Sequence, residues 1–165
     1  MKQTTCAFTG HRPEKLPCGG DEISSGVMTL KTYLRRAIEQ AIADGYTTFI
    51  SGMSRGVDMW AAEIVLDLQK PHPFINLHAA VPCKTQCGAW ACADIDRYLA
   101  ILKQAQSIHV LSPTYTPSCM HERNRYMVDH ASCLIAVYDG TSPGGTANTV
   151  QYAQQQGIEI QRIWF

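Results

Sequence analysis

Short apolar runs alternate along this chain with longer stretches in which apolar residues return every three or four positions. Thr4–Thr9 is a β-rich run that stops at Gly10. From Val27, apolar residues recur at Leu30, Leu34, Ile38, Ala41 and Ile42, the spacing of one helix face, and Gly45 supplies the stop. Thr47–Ser51 reads as a second strand, and Val57, Trp60, Ala61, Ile64, Val65 and Leu68 as a helix ending before Pro71. Phe74–Val81 is the third strand, and Ile95, Leu99 and Leu102 place a helix after it, while residues 82–93 show no clear period. Ser107–Leu111 and Cys133–Tyr138 are the fourth and fifth strands, separated by a helix carrying Met120, Met127 and Val128. Ala147, Val150 and Ala153 mark the last helix, and Ile158–Trp164 the closing strand. Strands alternating with crossover helices predict an α/β, Rossmann-like three-layer sandwich with a mostly parallel sheet of about six strands. No repeat, linker or low-complexity segment divides the chain, so residues 1–165 are expected to form one domain.

Composition narrows the classes of function. Lys plus Arg and Asp plus Glu number 14 each, so no long-range field favours an extended polyanion. Binding to nucleic acid is therefore disfavoured, although a local phosphate site is not. No apolar run approaches the roughly 18–20 residues that span a membrane, and the amino terminus does not read as a signal peptide. A cytoplasmic location without membrane association is the expectation. The seven cysteines are odd in number, and Cys83, Cys87 and Cys92 lack the tight C-x2-C spacing of a zinc knuckle. The six histidines are dispersed. No metal is predicted and no cofactor is identified, beyond a nucleotide-like ligand.

In an open parallel sheet, ligands bind beyond the carboxyl ends of the strands, where strand order reverses. The informative turns lie at those ends. After strand two, Ser51-Gly52-Met53-Ser54-Arg55-Gly56-Val57-Asp58 enters a helix whose first amides and dipole suit an anion. Glycine allows close backbone approach, Arg55 offers a fork for phosphate oxygens, and Asp58 can hold a ribose or a base. The alternative is a tight turn in which Asp58 merely caps the helix. Asp139 and Gly140 end strand five, and Pro143-Gly144-Gly145-Thr146 repeats the same logic or simply starts a helix well. Gly10-His11-Arg12 closes strand one, with Arg12 as an anion ligand and His11 as a donor or proton-transfer group. Tyr115, beyond strand four, can stack on a base. Arg123 and Asn124 share a helix side with Met120 and Met127, so one of them faces inward. A guanidinium there needs an anion, whether a ligand phosphate, Asp139 or Glu63. Trp60 lies on an apolar stripe and reads as core.

Together these residues resemble a known family. Thr9-Gly10-His11-Arg12-Pro13, residues 51–63, Arg123-Asn124-Arg125-Tyr126-Met127-Val128-Asp129, Ala136-Val137-Tyr138-Asp139-Gly140 and Gly144-Gly145-Thr146 look like the YpsA-like branch of the SLOG superfamily. Pro82, Gln86, Trp90, Asp96 and Tyr98 fit as well, so the likeness runs from about residue 7 to 157. The resemblance implies a Rossmann-like domain that binds or senses a nucleotide or an ADP-ribose-like derivative, and a homo-oligomer, since relatives commonly self-associate. It names no settled reaction.

Two relatives supply alternatives. The LOG or lysine decarboxylase-like phosphoribohydrolases carry Glu-Arg-Lys on a helix, then Pro-Gly-Gly-x-Gly-Thr-x-x-Glu. Glu122-Arg123-Asn124 and Pro143-Gly144-Gly145-Thr146 are similar, but Thr149 stands where the catalytic glutamate belongs. N-glycoside cleavage of a nucleoside monophosphate needs a carboxylate, for which Glu63, Asp58 and Asp139 are available, so Glu63 and Arg123 are the catalytic candidates. DprA, which binds single-stranded DNA, has a Ser-Gly-x-Ala-x-Gly-x-Asp turn similar to residues 51–58. Arg12, Arg55, Arg123 and Arg125 would form the basic patch that such binding requires.

Overall fold

Strand β1 (Thr5–Gly10) lies at the centre of the sheet, and its side chains alternate between two apolar layers, as a doubly covered strand must. Cys6 and Phe8 point to one layer and Ala7 to the other. The computed structural model, which describes residues 1–141 and 143–165, builds the same alternation into β2 (Thr48–Ser51), β3 (Asn76–Cys83) and β5 (Cys133–Val137). With β4 (Ser107–Ser112) and β6 (Glu159–Ile163) these form one sheet in the order β4-β3-β2-β1-β5-β6. All five strand pairings are parallel.

The order explains the layering. From β1 the chain steps outward through β2, β3 and β4, then returns to the other side of β1 for β5 and β6. Right-handed crossovers made in opposite directions lay their helices on opposite faces. So α1 (Ser25–Ala43), α2 (Val57–Leu68) and α3 (Cys92–Gln104) cover one face, while α4 (Cys119–Asp129) and α5 (Gly145–Gln155) cover the other. The direction reverses between β1 and β5, whose last residues pair as Gly10 with Val137. That is where a crevice opens in such folds.

The sequence reading of the elements departs from the structure in three places. β3 begins at Asn76 rather than Phe74, because the turn Ile75 N–H to His72 carbonyl holds the chain off the sheet and leaves Phe74 exposed. In α3 the residues driven inward are Tyr98 and Ile101, not Leu99, which is 53% exposed. Tyr98 wins that position by packing its ring edge-on against Trp90 at 5.3 Å and donating its hydroxyl to Gln86 at 3.3 Å. Between β1 and α1, where the sequence pattern assigns no element, the chain folds into a 3-10 turn at Pro13–Lys15 and a second turn at Pro17–Gly20 in which Cys18 and Gly19 take positive φ.

Among the described residues no helix is long and apolar enough to cross a membrane.

Candidate functional site

The first wall of the crevice is the end of β1. A Cβ on Gly10 would lie 2.5 Å from the Val57 side chain, so only glycine lets β1 pass this close to the start of α2. His11 follows, 5% exposed, with its Nε2 3.0 Å from Asp139 Oδ1 at the end of β5. The other ring nitrogen, Nδ1, is 3.5 Å from the Thr146 hydroxyl. Asp139 Oδ1 also accepts from the Thr141 amide at 2.9 Å and the Thr141 hydroxyl at 2.6 Å. Thr141, then His11, hold the Asp139 carboxyl well below the usual carboxylate range. The Asp139 amide is 3.4 Å from Nε2, a longer contact than the carboxylate makes. An anionic partner at 3.0 Å favours the tautomer with the proton on Nε2 and the lone pair on Nδ1.

The second wall is the turn from β2 into α2. The Ser51 hydroxyl accepts the Met53 amide at 3.2 Å and donates to the Asp58 carbonyl at 2.8 Å. Met53 takes a positive φ of 61° and Gly56 one of 88°, the left-handed backbone that folds this loop back on itself. At Gly56 a Cβ would lie 2.8 Å from the His11 carbonyl, which ties this turn to the first. Asp58 Oδ2 accepts the Ser54 amide at 3.3 Å.

Arg123 enters from α4 and braces this turn. It donates through one guanidinium nitrogen to the Gly52 carbonyl, through another to Ser54 Oγ at 3.4 Å, and through Nε to Asn124 Oδ1 at 2.7 Å. Its nearest carboxylate is Asp58, at 3.9 Å, and both side chains are almost wholly buried. Gln86 also donates to the Gly52 carbonyl, at 3.2 Å. Burial pushes the Asp58 carboxyl up against the opposing pull of Arg123, and burial likewise lowers Arg123 against the pull of Asp58. The pair is matched in charge, so it contributes little net field to the crevice.

The third wall is the start of α5. Its first intrahelical bond runs from the Asn148 amide to the Gly144 carbonyl at 2.9 Å. The amides of Gly145, Thr146 and Ala147 therefore lie at the positive end of the helix. Lys15 completes the rim, with its ammonium 3.6 Å from where a Gly144 Cβ would stand.

These walls enclose a cavity of about 320 Å³ at the switch point, the lower end of the range for small-ligand sites. Of the residues expected from the sequence, Gly10, His11, Arg12, Asp58, Arg123, Asn124, Gly145 and Thr146 line it. Gly144 is adjacent through Lys15, and Asp139 stands behind His11. Ser51, Gly52, Met53 and Gly56 are buried beneath it as the scaffold of the turn. Four expectations fall elsewhere. Arg55 does not line the cavity: it donates to Glu14 at 2.9 Å and lies 6.0 Å from the Trp90 ring. Tyr115 is 65% exposed and Gly140 packs toward Trp164. Glu63 sits on the outer side of α2, paired with Arg97, so it is no partner for Arg123. Neither is Asp139, which His11 and Thr141 occupy.

Sequence reasoning missed Lys15, Glu14 and Ser54, which also line the cavity. Ser54 was inside the quoted turn, whereas Lys15 reaches the crevice only because of an unforeseen 3-10 turn. Of the charged groups lining the cavity, Arg123 is matched by Asp58 inside it and Glu14 by Arg55 outside it. Among the described residues, Arg12 and Lys15 have no carboxylate within 4.0 Å. The remaining charge of the rim is positive. Also among the described residues, no three His, Cys, Asp or Glu side chains cluster closely enough to hold a metal ion.

Comparison with known proteins agrees with the motifs. A UPF0398 protein of Bacillus thuringiensis (strain Al Hakam) is 29% identical over 162 residues, 96% of this chain and 88% of the relative. A UPF0398 protein of Bacillus cereus (strain Q1) matches to the same extent, and one from Bacillus cereus (strain AH820) is 28% identical over the same length. The YpsA family model, described as the YspA SLOG family, matches residues 6–165. The chain therefore belongs to the YpsA SLOG family.

Proposed function

We propose that this protein binds a nucleotide, or a nucleotide-derived molecule such as ADP-ribose, in the crevice between β1 and β5. One observation carries the reading: Arg12 and Lys15, which among the described residues have no carboxylate within 4.0 Å, share a cavity with the amino-terminal residues Gly145 and Thr146 of α5. Helix amides and a guanidinium converging on one point suit a phosphate. The sugar and base would extend toward Asn124 and the apolar wall of Met120 and Met127.

The N-glycosidase alternative draws less support. Thr149 holds the place of the catalytic glutamate and donates its hydroxyl to the Gly145 carbonyl at 2.8 Å. Glu63 lies outside the crevice, and Asp58 is committed to the Ser54 amide and Arg123. Single-stranded DNA would want an open basic groove with stacking aromatics, and Tyr115 is not at this cavity.

Thermal unfolding with AMP, ADP and ADP-ribose tests the reading. A ligand at a hundred times its Kd stabilises by about 2.7 kcal/mol, a rise in Tm of roughly 5–10 °C for a chain of this size. Arg12→Ala and Lys15→Ala should each remove most of that rise. Arg55→Ala should leave it intact. A folded protein whose Tm none of the three compounds moves would refute nucleotide binding.

A further inference from the structure

His11 is held as a base is held in hydrolytic sites, with a carboxylate on one ring nitrogen and a hydroxyl on the other. We propose that Thr146, His11 and Asp139 form a hydroxyl–imidazole–carboxylate relay in which Thr146 is the nucleophile toward the phosphorus of a bound nucleoside monophosphate. This rests on the nucleotide-binding reading and gives that site a reaction.

Three observations support it. The Thr146 hydroxyl is 3.5 Å from His11 Nδ1, and His11 Nε2 is 3.0 Å from Asp139 Oδ1, so the three groups form a continuous chain. Asp139 is itself oriented by two bonds from Thr141, which fixes the ring at its far end. Thr146 lines the cavity in the first turn of α5, where a phosphate held by the helix amides and Lys15 would lie against its hydroxyl. A Thr146 serving only to staple α5 to β1 would not require a carboxylate, itself braced, behind the histidine.

The chemistry balances without a further reagent. As the Thr146 Oγ–phosphorus bond forms, the bond from phosphorus to the nucleoside oxygen breaks. The hydroxyl proton passes to His11 Nδ1, where the imidazolium is held facing anionic Asp139, while the departing nucleoside oxygen, in line on the far side of phosphorus, takes a proton from water. Water then attacks the phosphothreonine from the side the nucleoside left, releasing a proton to solvent, and His11 supplies its proton on the Thr146 side. The phosphorus–Oγ bond breaks, the proton goes to Oγ, and inorganic phosphate leaves. Amides at the end of α5 would stabilise charge on the phosphoryl oxygens in both steps.

AMP is the probe, with three readouts on the whole protein: Tm shift, release of inorganic phosphate, and intact mass after acid quench. The wild type should release phosphate and show an added phosphoryl group on Thr146. Thr146→Ala should lose at least about 100-fold in rate while AMP still raises its Tm, and Asp139→Asn should lose a comparable factor. Thr146→Ser, which keeps the hydroxyl, should stay within about tenfold of wild type and keeps the test open should the Asp139→Asn protein fail to fold. An AMP-induced shift without phosphate release or added mass overturns the relay and leaves the binding reading standing. Unchanged release by Thr146→Ala overturns it as well. No shift with AMP, ADP or ADP-ribose and no phosphate release would overturn both.

Discussion

Arg123 is 4% exposed, and four groups on three parts of the chain answer its charge and donors: Gly52, Ser54, Asp58 and Asn124. Removing one member of a buried pair leaves the other uncompensated, so Arg123→Met should cost about 3–5 kcal/mol in urea unfolding. Adding Asp58→Asn to that variant should recover a good part of the loss, because the stranded carboxylate is then neutral. Additive costs would show that the two residues are not coupled. From sequence, the spacing with Met120 and Met127 indicates that either Arg123 or Asn124 faces the inner side of the helix, and the structure puts Arg123 there. Its partner was not legible. Asp58 lies 3.9 Å away through the fold of the β2–α2 turn, while Glu63 and Asp139 were equally acidic on paper. Arg55 illustrates the reverse error: a glycine turn gave it phosphate-binding context, and Glu14, brought round by a 3-10 turn, took its guanidinium.

The elements on the α1–α3 face are tied together by charge as well as by packing. Arg97 on α3 reaches both Glu63 on α2 and Glu22 in the loop before α1, and Lys31 on α1 also pairs with Glu22. Hydrogen bonding from Arg97 takes the Glu22 carboxyl from its ordinary 4.5 to about 2. A depressed folded-state pKa stabilises when the group is ionised. The Glu22 contribution is therefore complete above about pH 4.5 and disappears as the pH falls from there through about 2. Because the pair is partly solvated, the contribution is about 1 kcal/mol. Glu22→Gln should lower stability by that amount at pH 7 and by only a small fraction of it near pH 2. Unfolding midpoints measured between those pH values check it, and a constant difference across the range would contradict it. None of this network was readable along the chain, since its members are separated by up to 75 positions. The helices themselves were readable. Val27, Leu30, Leu34 and Ile38 are buried on α1 as their spacing requires, and the Ser24 hydroxyl caps the helix by accepting the Val27 amide at 3.4 Å.

Across the whole molecule the two faces of the sheet are packed differently. The α1–α3 side carries Phe8 and Phe49, stacked with ring centroids 6.0 Å apart. The α4–α5 side carries Ala7, Ala80 and Ala136 beside Ile50 and Leu134, so its strands present smaller side chains to the helices. The packing of this face bears on the site because α4 brings Arg123 and α5 brings Thr146 to the crevice. Ala136→Leu, a larger side chain at a fully buried position, should cost about 1–3 kcal/mol and push α5 outward. It should also reduce the nucleotide-induced rise in Tm, whereas a Leu tolerated without loss in either measurement would show that this face has room to spare.

Local chemistry settled the alternation of strands and helices and the placing of glycine-rich turns at strand ends. Hydrophobic period and turn residues act over a few positions, so a parallel Rossmann-like sheet could be read directly from the chain. Strand order, and with it the pairing of Gly10 with Val137, depended on which distant strands met. So did the direction in which each side chain faced. His11, Asp139 and Thr146 are separated by up to 135 residues, and they meet because the chain reverses direction at β1. Contacts of that range are selected by packing of the complete core, a condition that no short window of sequence contains.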